Sequence, residues 1–240
     1  MEKIINFFDE LRKEDIPLVG GKGANLGEMS SAKIPVPEGF VVNIYAYQEF
    51  LNQKIGDKTL KEKISEILLN TNIHDTDSLN ENTKKIRDLI MSTPMPKEIS
   101  DQIKEAYIKL CGNKDVFVAV RSSATAEDVP EASFAGQQDT YLNVIGGENV
   151  VYNVQKCWAS LFTPRATFYR QEQKFNHLET YLAVVVQKMI NSTVSGVMFT
   201  AEPVTGEEKI IIEAAYGLGE AVVSGKVTPD TYVIDKKTMK

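Results

Sequence analysis

Between Val118 and Val144 the chain reads VAVRSSATAEDVPEASFAGQQDTYLNV, and no other stretch limits the fold as much. It opens on an apolar run, VFVAVR, with the make-up of a buried strand that delivers one arginine, Arg121, to its end. It closes on a second strand-like run, TYLNV. The loop between them is rich in Ser, Thr, Ala and Gly and is too long for a simple hairpin connection. Such a strand–loop–strand suits polyanion binding. Arginine supplies fixed donors and a permanent charge. Small residues let backbone N–H groups come close to phosphate oxygens.

The remaining 213 of the 240 residues frame that unit (240 less the 27 from Val118 to Val144). The length allows one large or two small domains. Net charge is −6, from 27 basic and 33 acidic residues, which argues against broad nucleic-acid binding. One phosphorylated small molecule held by a few local cations remains compatible with it. Cys111 and Cys157 lack CxxC spacing, so neither a disulfide framework nor a zinc site is expected. His74 and His177 are too few for a histidine-based metal site. The opening MEKIINFFDELRKED interleaves acids and bases and fits neither a signal nor a transit peptide. No apolar run reaches about 18 residues, so no membrane span is expected and a cytoplasmic location is the expectation.

Residues 4–15 read as a short helix or an ordered arm. IPLVGGKGANLG opens a helix running to about Ser31, and IPVPEGFVVN is an extended segment leading into a short strand. A helical block follows from Ala46 to Cys111, with capping-box spacing at Ser78 to Glu81 and a break at Pro94 and Pro96. Ile86, Leu89 and Ile90 continue one apolar stripe, and Ile99, Ile103, Ala106, Tyr107 and Leu110 form another. This block reads as scaffold. Val150, Val151, Val154, Cys157, Trp158, Leu161 and Phe162 predict a helix over Glu148 to Phe162, and Thr163-Pro164 predicts the start of the next. From Tyr181, four strand-like runs (YLAVVVQKMI, SGVMFTAEP, KIIIEAAYG, DTYVIDK) predict one antiparallel sheet. Residues 1–115 thus form an N-terminal lobe with a helical block. Residues 116–240 carry the strand–loop–strand, two helices and mainly strands. The fold class is α+β.

Two cations are candidates for phosphate contact. Val19-Gly20-Gly21-Lys22-Gly23 can offer N–H groups, the positive end of a helix dipole and an ammonium. It is neither a Walker A loop nor a dinucleotide fingerprint. Its plainer reading is a glycine-rich turn with a solvated lysine. Arg121 stands near Glu127, Asp128 and Glu131, so a structural ion pair competes with phosphate contact. Phosphate contact is favoured because FAGQQDT follows, able to fold over a nucleotide with the Gly136 N–H and the Thr140 hydroxyl inward. Gln187 interrupts an otherwise apolar strand. It is either a cross-strand amide or edge position, or the rim of an adenine pocket lined by Val185, Met189 and Met198. Glu202 and Glu213, at or near strand ends, are weak candidates to share Mg²⁺ with substrate phosphates. No nucleophile–base set stands out.

Six blocks in order carry a family resemblance: VGGKGANLGEM, IPVPEGFVV, the 118–144 stretch, KCWASLFTPRATFYR, VVVQKMINSTVSGVMFTAEPVTG and IIIEAAYGLGEAVVSGKVTPDTYVIDK. They resemble the N-terminal nucleotide-binding domain of the phosphoenolpyruvate synthases, and also that of the rifamycin phosphotransferases. The likeness to pyruvate phosphate dikinase is more distant. It runs from Leu18 to Asp235. The resemblance implies that both lobes belong to one pyruvate phosphate dikinase-type PEP/pyruvate-binding (ATP-binding) domain, with an ATP-grasp-like two-lobed fold. It implies ATP and Mg²⁺ as cofactors. ATP would give its β-phosphoryl group to a histidine on a separate swivelling domain, releasing AMP and phosphate, and a pyruvate-binding domain would receive it next. Carried over by motif, Lys22 and Arg121 would hold ATP phosphates, Gly136 and Thr140 would belong to the covering loop, and Gln187 would line the site.

The family's domain continues past DTYVIDK with further acidic and amide residues, so the resemblance also implies a fold truncated at the C-terminus and an incomplete catalytic set. The 240 residues alone are then expected to bind ATP weakly at most and to make no phosphoenolpyruvate, the latter checked by a coupled assay of pyruvate turnover. An open strand edge after DTYVIDK would be a pairing surface, which makes a homodimer an expectation too. The competing readings are the same domain from an antibiotic-phosphorylating relative and a stand-alone nucleotide-binding module without catalysis.

Overall fold

The computed structural model describes residues 2–112, 114–125 and 140–239. Gly136 and the rest of the 126–139 stretch therefore lie outside the described residues. The chain divides into two compact units, Met1–Met189 and Ile190–Lys240. The boundary expected near residue 115 falls inside the first unit.

The first unit begins with β1 (Ile5–Phe7), two short 3-10 turns, and α1 (Ile16–Ser31). β2 (Gly39–Val42), α2 (Ile44–Asn52) and a small hairpin of β3 (Lys54–Ile55) and β4 (Lys58–Thr59) follow. The helices α3 (Leu60–Leu69), α4 (Thr76–Ser92) and α5 (Lys97–Cys111) lead to β5 (Val118–Ala124) and β6 (Thr140–Val144). The helices α6 (Gly147–Ser160) and α7 (Pro164–Glu172) then precede β7 (Leu182–Lys188). Five strands form one antiparallel sheet in the order β1-β2-β7-β5-β6.

One sheet face carries the larger core. Val118, Val120, Val184, Val186, Phe40 and Val42 pack there against buried side chains of α2 to α6. The stripe predicted on α5 is wholly buried, from Ile99 to Leu110, and Ile86 and Ile90 of α4 join it. The helical block is thus the ballast of the sheet, each fully buried aliphatic side chain contributing about 1.5–3 kcal/mol. The opposite face carries a smaller core. There Val19 and Ala24 of α1 pack on Val41, Ala183 and Val185.

Local expectations fared unevenly. Thr163 caps α7 through its hydroxyl, which accepts from Ala166 N at 3.3 Å, and Pro164 takes the first helical position. The prolines end α4 at Ser92 and restart the chain at Lys97. The capping box predicted at Ser78 is not where α4 begins. Asp75 caps α4, accepting from Asp77 N and Ser78 N, and a capping box stands instead at Thr59–Glu62 on α3. The helix or arm predicted over 4–15 contains strand β1, because Ile5, Asn6 and Phe7 pair with Val42, Val41 and Phe40.

The four late strand-like runs do not make one sheet. The first is β7, at the centre of the five-stranded sheet. The other three form the second unit: β8 (Val194–Phe199), β9 (Lys209–Tyr216), a single helical turn α8 (Glu220–Val223) and β10 (Asp230–Asp235). They pair antiparallel in the order β10-β9-β8. Among the described residues, no helix is long and apolar enough to cross a membrane.

A buried polar cluster ties α7 to the loop before β7. The Arg170 side chain is 1% exposed. Its Nη2 donates to the Leu161 carbonyl, and its Nε donates to His177 Nδ1 at 3.1 Å. That contact puts the imidazole proton on Nε2, which faces Gln171 Oε1 at 3.0 Å. Burial, and then the charge of Arg170, hold the His177 pKa down at about 4. An unfolded histidine titrates near 6.5, so between about pH 6.5 and 4 the unfolded chain takes up a proton that the folded chain refuses. Stability is therefore unaffected by this group above that window and falls as the pH drops through it. Allowing for solvent at the half-buried ring, the loss by pH 4.5 is about 1–2 kcal/mol. Urea titrations at pH 7 and 4.5 check this, and His177→Gln, which keeps an acceptor for Arg170, should remove this share of the acid sensitivity.

Candidate functional site

Strand register gathers most of the predicted residues. Thr140 stands opposite Arg121, Arg121 opposite Val185, and Val185 opposite Val41. Directly opposed residues of an antiparallel ladder share a face, so these four form one row across the sheet. Two positions along β7, Gln187 points the same way, opposite Ala119 and Gly39. Arg121, Thr140 and Gln187 thus share the face on which α1, the helix that carries Lys22, is packed.

The GGKG turn is built around a break in α1. Gly20 adopts φ 71° and ψ 168°, so the helix stops at Val19 and restarts at Gly21. Only glycine enters that region freely. The break brings Gly20 hard against β5. A Cβ there would lie 2.3 Å from the Ser123 carbonyl oxygen and 2.4 Å from its Oγ. Ser123 is fully buried, and its hydroxyl joins the two sides of the break. It donates to the Val19 carbonyl at 2.8 Å and accepts from Gly23 N at 3.2 Å. Ser123 lies two residues beyond Arg121 on the same strand face. The lysine turn is therefore fastened to the arginine strand.

Lys22 and Thr140 are exposed, and Arg121 is partly buried. An ammonium, a guanidinium and a hydroxyl are group types that give charge-assisted hydrogen bonds to anions, as a helix start also can. Gln187 is 7% exposed, and its Nε2 donates to the Pro37 carbonyl at 3.1 Å. The buried amide has thus found a backbone partner on the segment that enters β2.

Other expectations are corrected. Arg121 is the fourth of seven residues in β5, not at the strand end. Val185 does not line a pocket, for it is wholly buried in the core under α1. Met198 belongs to the second unit, where it is 60% exposed. Glu202 lies in the turn after β8, where its carboxylate accepts from Thr205 N and, at 3.0 Å, from Val204 N. A side-chain hydrogen bond with Thr205, and after it these backbone bonds, hold its carboxyl below the usual range. Glu213 sits mid-strand in β9, opposite Val197 and Thr231. Among the described residues no group of three or more His, Cys, Asp or Glu could hold a metal ion.

The family model described as pyruvate phosphate dikinase, AMP/ATP-binding domain, matches residues 16–240. The chain belongs to that family. As a dikinase AMP/ATP-binding domain it has close relatives among proteins named as phosphoenolpyruvate synthases. A probable phosphoenolpyruvate synthase of Archaeoglobus fulgidus is 58% identical over 96% of the chain and 30% of its own length. Probable phosphoenolpyruvate synthases of Pyrococcus horikoshii and Methanothermobacter thermautotrophicus are each 54% identical, over 99% and 100% of the chain and 33% and 35% of their own lengths. The chain thus spans about a third of the curated relatives it matches. The β1–α1 region before residue 16 lies outside the family match, and the Lys22 turn, Arg121, Thr140 and Gln187 lie within it.

The Ser123 link escaped sequence reading. Its two partners are 104 and 100 residues away, and nothing local to RSSA announces them. Gly20 did carry a signal, as the first glycine of GGKG, but not the strand it would meet.

Proposed function

We propose that this chain is the ATP-binding part of a phosphoenolpyruvate synthase, a pyruvate, water dikinase, with an ATP-grasp-like fold. What carries the reading is the convergence of Arg121, Thr140 and Gln187 on the sheet face that bears the Lys22 turn. Lys22 and Arg121 hold the ATP phosphates. Thr140 and Gly136, the latter outside the described residues, belong to the segment that covers them, and Gln187 borders the nucleotide. The protein's part at this stage is to bind and orient the triphosphate and offset its charge. The β-phosphoryl group then passes to a histidine on a separate swivelling domain, with AMP and phosphate released. Pyruvate is the final acceptor, in keeping with the names of the relatives. Mg²⁺ would serve in this chemistry as a counter-charge for the phosphates.

Calorimetry with ATP tests the reading. Arg121→Ala should lose about 1.5–3 kcal/mol of binding free energy, the worth of a hydrogen bond to a charged group. Lys22→Ala should weaken binding too, and the wild-type affinity should fall with salt more steeply than that of the Lys22 variant. An unchanged affinity in a folded Arg121→Ala protein would make the guanidinium structural and remove the reading's main support.

A further inference from the structure

Ser123 answers a problem that the break in α1 creates. A helix that restarts at Gly21 exposes new N–H donors, and one that stops at Val19 leaves carbonyls without intrahelical partners. At an ordinary helix start, a serine or aspartate just before the first turn accepts one of those N–H groups. Gly20 stands at that position and has no side chain. Ser123 supplies the missing hydroxyl from another strand, accepting from Gly23 N while donating to Val19 O. Both bonds are buried, and Ser123 is paired with Ala183 of β7, so the hydroxyl is a rigid anchor.

We propose that Ser123 is a positioning residue for the nucleotide, setting the Lys22 turn at a fixed place relative to Arg121 without touching the ligand. The proposal rests on the ATP reading above. The structure supplies the reason: Lys22 is adjacent to the anchored Gly23, and Arg121 is two residues from the anchor. With both ends fastened to one hydroxyl, the ammonium and the guanidinium are presented together. Without it, the turn keeps its charge but loses its register against the strand, and the phosphates must order it on binding.

The test is a double-mutant cycle on this chain, with ATP affinity read by calorimetry and folding checked by circular dichroism. Ser123→Ala should bind ATP about five- to ten-fold more weakly, the cost of ordering on binding a turn that the hydroxyl no longer holds. In a Lys22→Ala background the same substitution should have almost no further effect, because the group it positions is gone. Ser123→Cys, which keeps a weak donor and acceptor, is the milder variant and should lose less than alanine. Amide exchange at Gly23 should accelerate in the alanine variant. Equal losses in both backgrounds would overturn the proposal, leaving Ser123 a general stabiliser. Wild-type affinity in Ser123→Ala, with Arg121→Ala impaired, would overturn it while sparing the ATP reading. A wild-type chain that binds no ATP would remove both.

Discussion

Gly20→Ala should destabilise the first unit by about 3–5 kcal/mol and lower its midpoint by roughly 10 °C in thermal unfolding. Two costs add. The residue sits at φ 71°, ψ 168°, where a side chain brings about 1–3 kcal/mol of backbone strain. The new Cβ also meets the Ser123 carbonyl oxygen at 2.3 Å and its carbonyl carbon at 2.6 Å, distances that no real Cβ keeps. Relief would need backbone movement, since the clash is with strand atoms and not with the end of a flexible chain. Ser123 cannot retreat easily, because β7 pairs with it at Ala183 and it has no exposed surface. α1 must therefore move away, breaking both hydroxyl bonds and loosening Val19 from Val41 and Val185. Gly56→Ala is the control. It also has positive φ, 75°, but nothing lies within 4 Å of its Cβ, so its cost should stay near 1 kcal/mol. Equal costs at the two sites would show that the packing of α1 on β5 is looser than drawn.

That pair of glycines marks where sequence reading succeeds and where it stops. Local patterns carry local facts. The five apolar positions of α5 announce a buried face, and Thr163-Pro164 announces a helix start, because each depends on residues within a few turns. Lys22, Arg121, Thr140 and Gln187 were legible as chemistry, each a polar group in a telling context. Their shared face was not, since it depends on strand register between segments far apart in the chain. The same reason explains the late strands. Each run reads as a strand, but only pairing decides that β7 joins β5 and β2 while β8, β9 and β10 pair among themselves. β1 is three residues long, and its pairing with β2, not its composition, makes it a strand. The capping box at Ser78 failed on competition. Asp75, three residues earlier, offers a carboxylate to the same helix start, and Ser78 is taken into the first turn.

The largest single loss of packing should come from Trp158→Ala, at about 3–5 kcal/mol. Trp158 is fully buried, with its ring centroid 5.0 Å from Phe50 and 5.5 Å from Tyr47. It faces the larger core, where α6 packs on β5 and β7. Truncation to alanine empties the centre of that layer, and neighbours fixed on a sheet and several helices can refill it only in part. Trp158→Phe should behave differently. The indole N–H is buried and meets no acceptor among the described residues. Phenylalanine gives up some contact area but also removes a donor whose isolation costs about 1–3 kcal/mol, so the net change should be within about 1 kcal/mol. Trp158 is the chain's only tryptophan, so unfolding must be followed by circular dichroism. The folded fraction of either variant should bind ATP as the wild type does. Val118 and Val120 face the core that Trp158 fills, whereas Arg121 faces α1, and perturbations on opposite faces of a well-paired strand should add without coupling. A large drop in affinity from Trp158→Phe would mean that β5 transmits strain from one face to the other, and the two cores would then have to be treated as one.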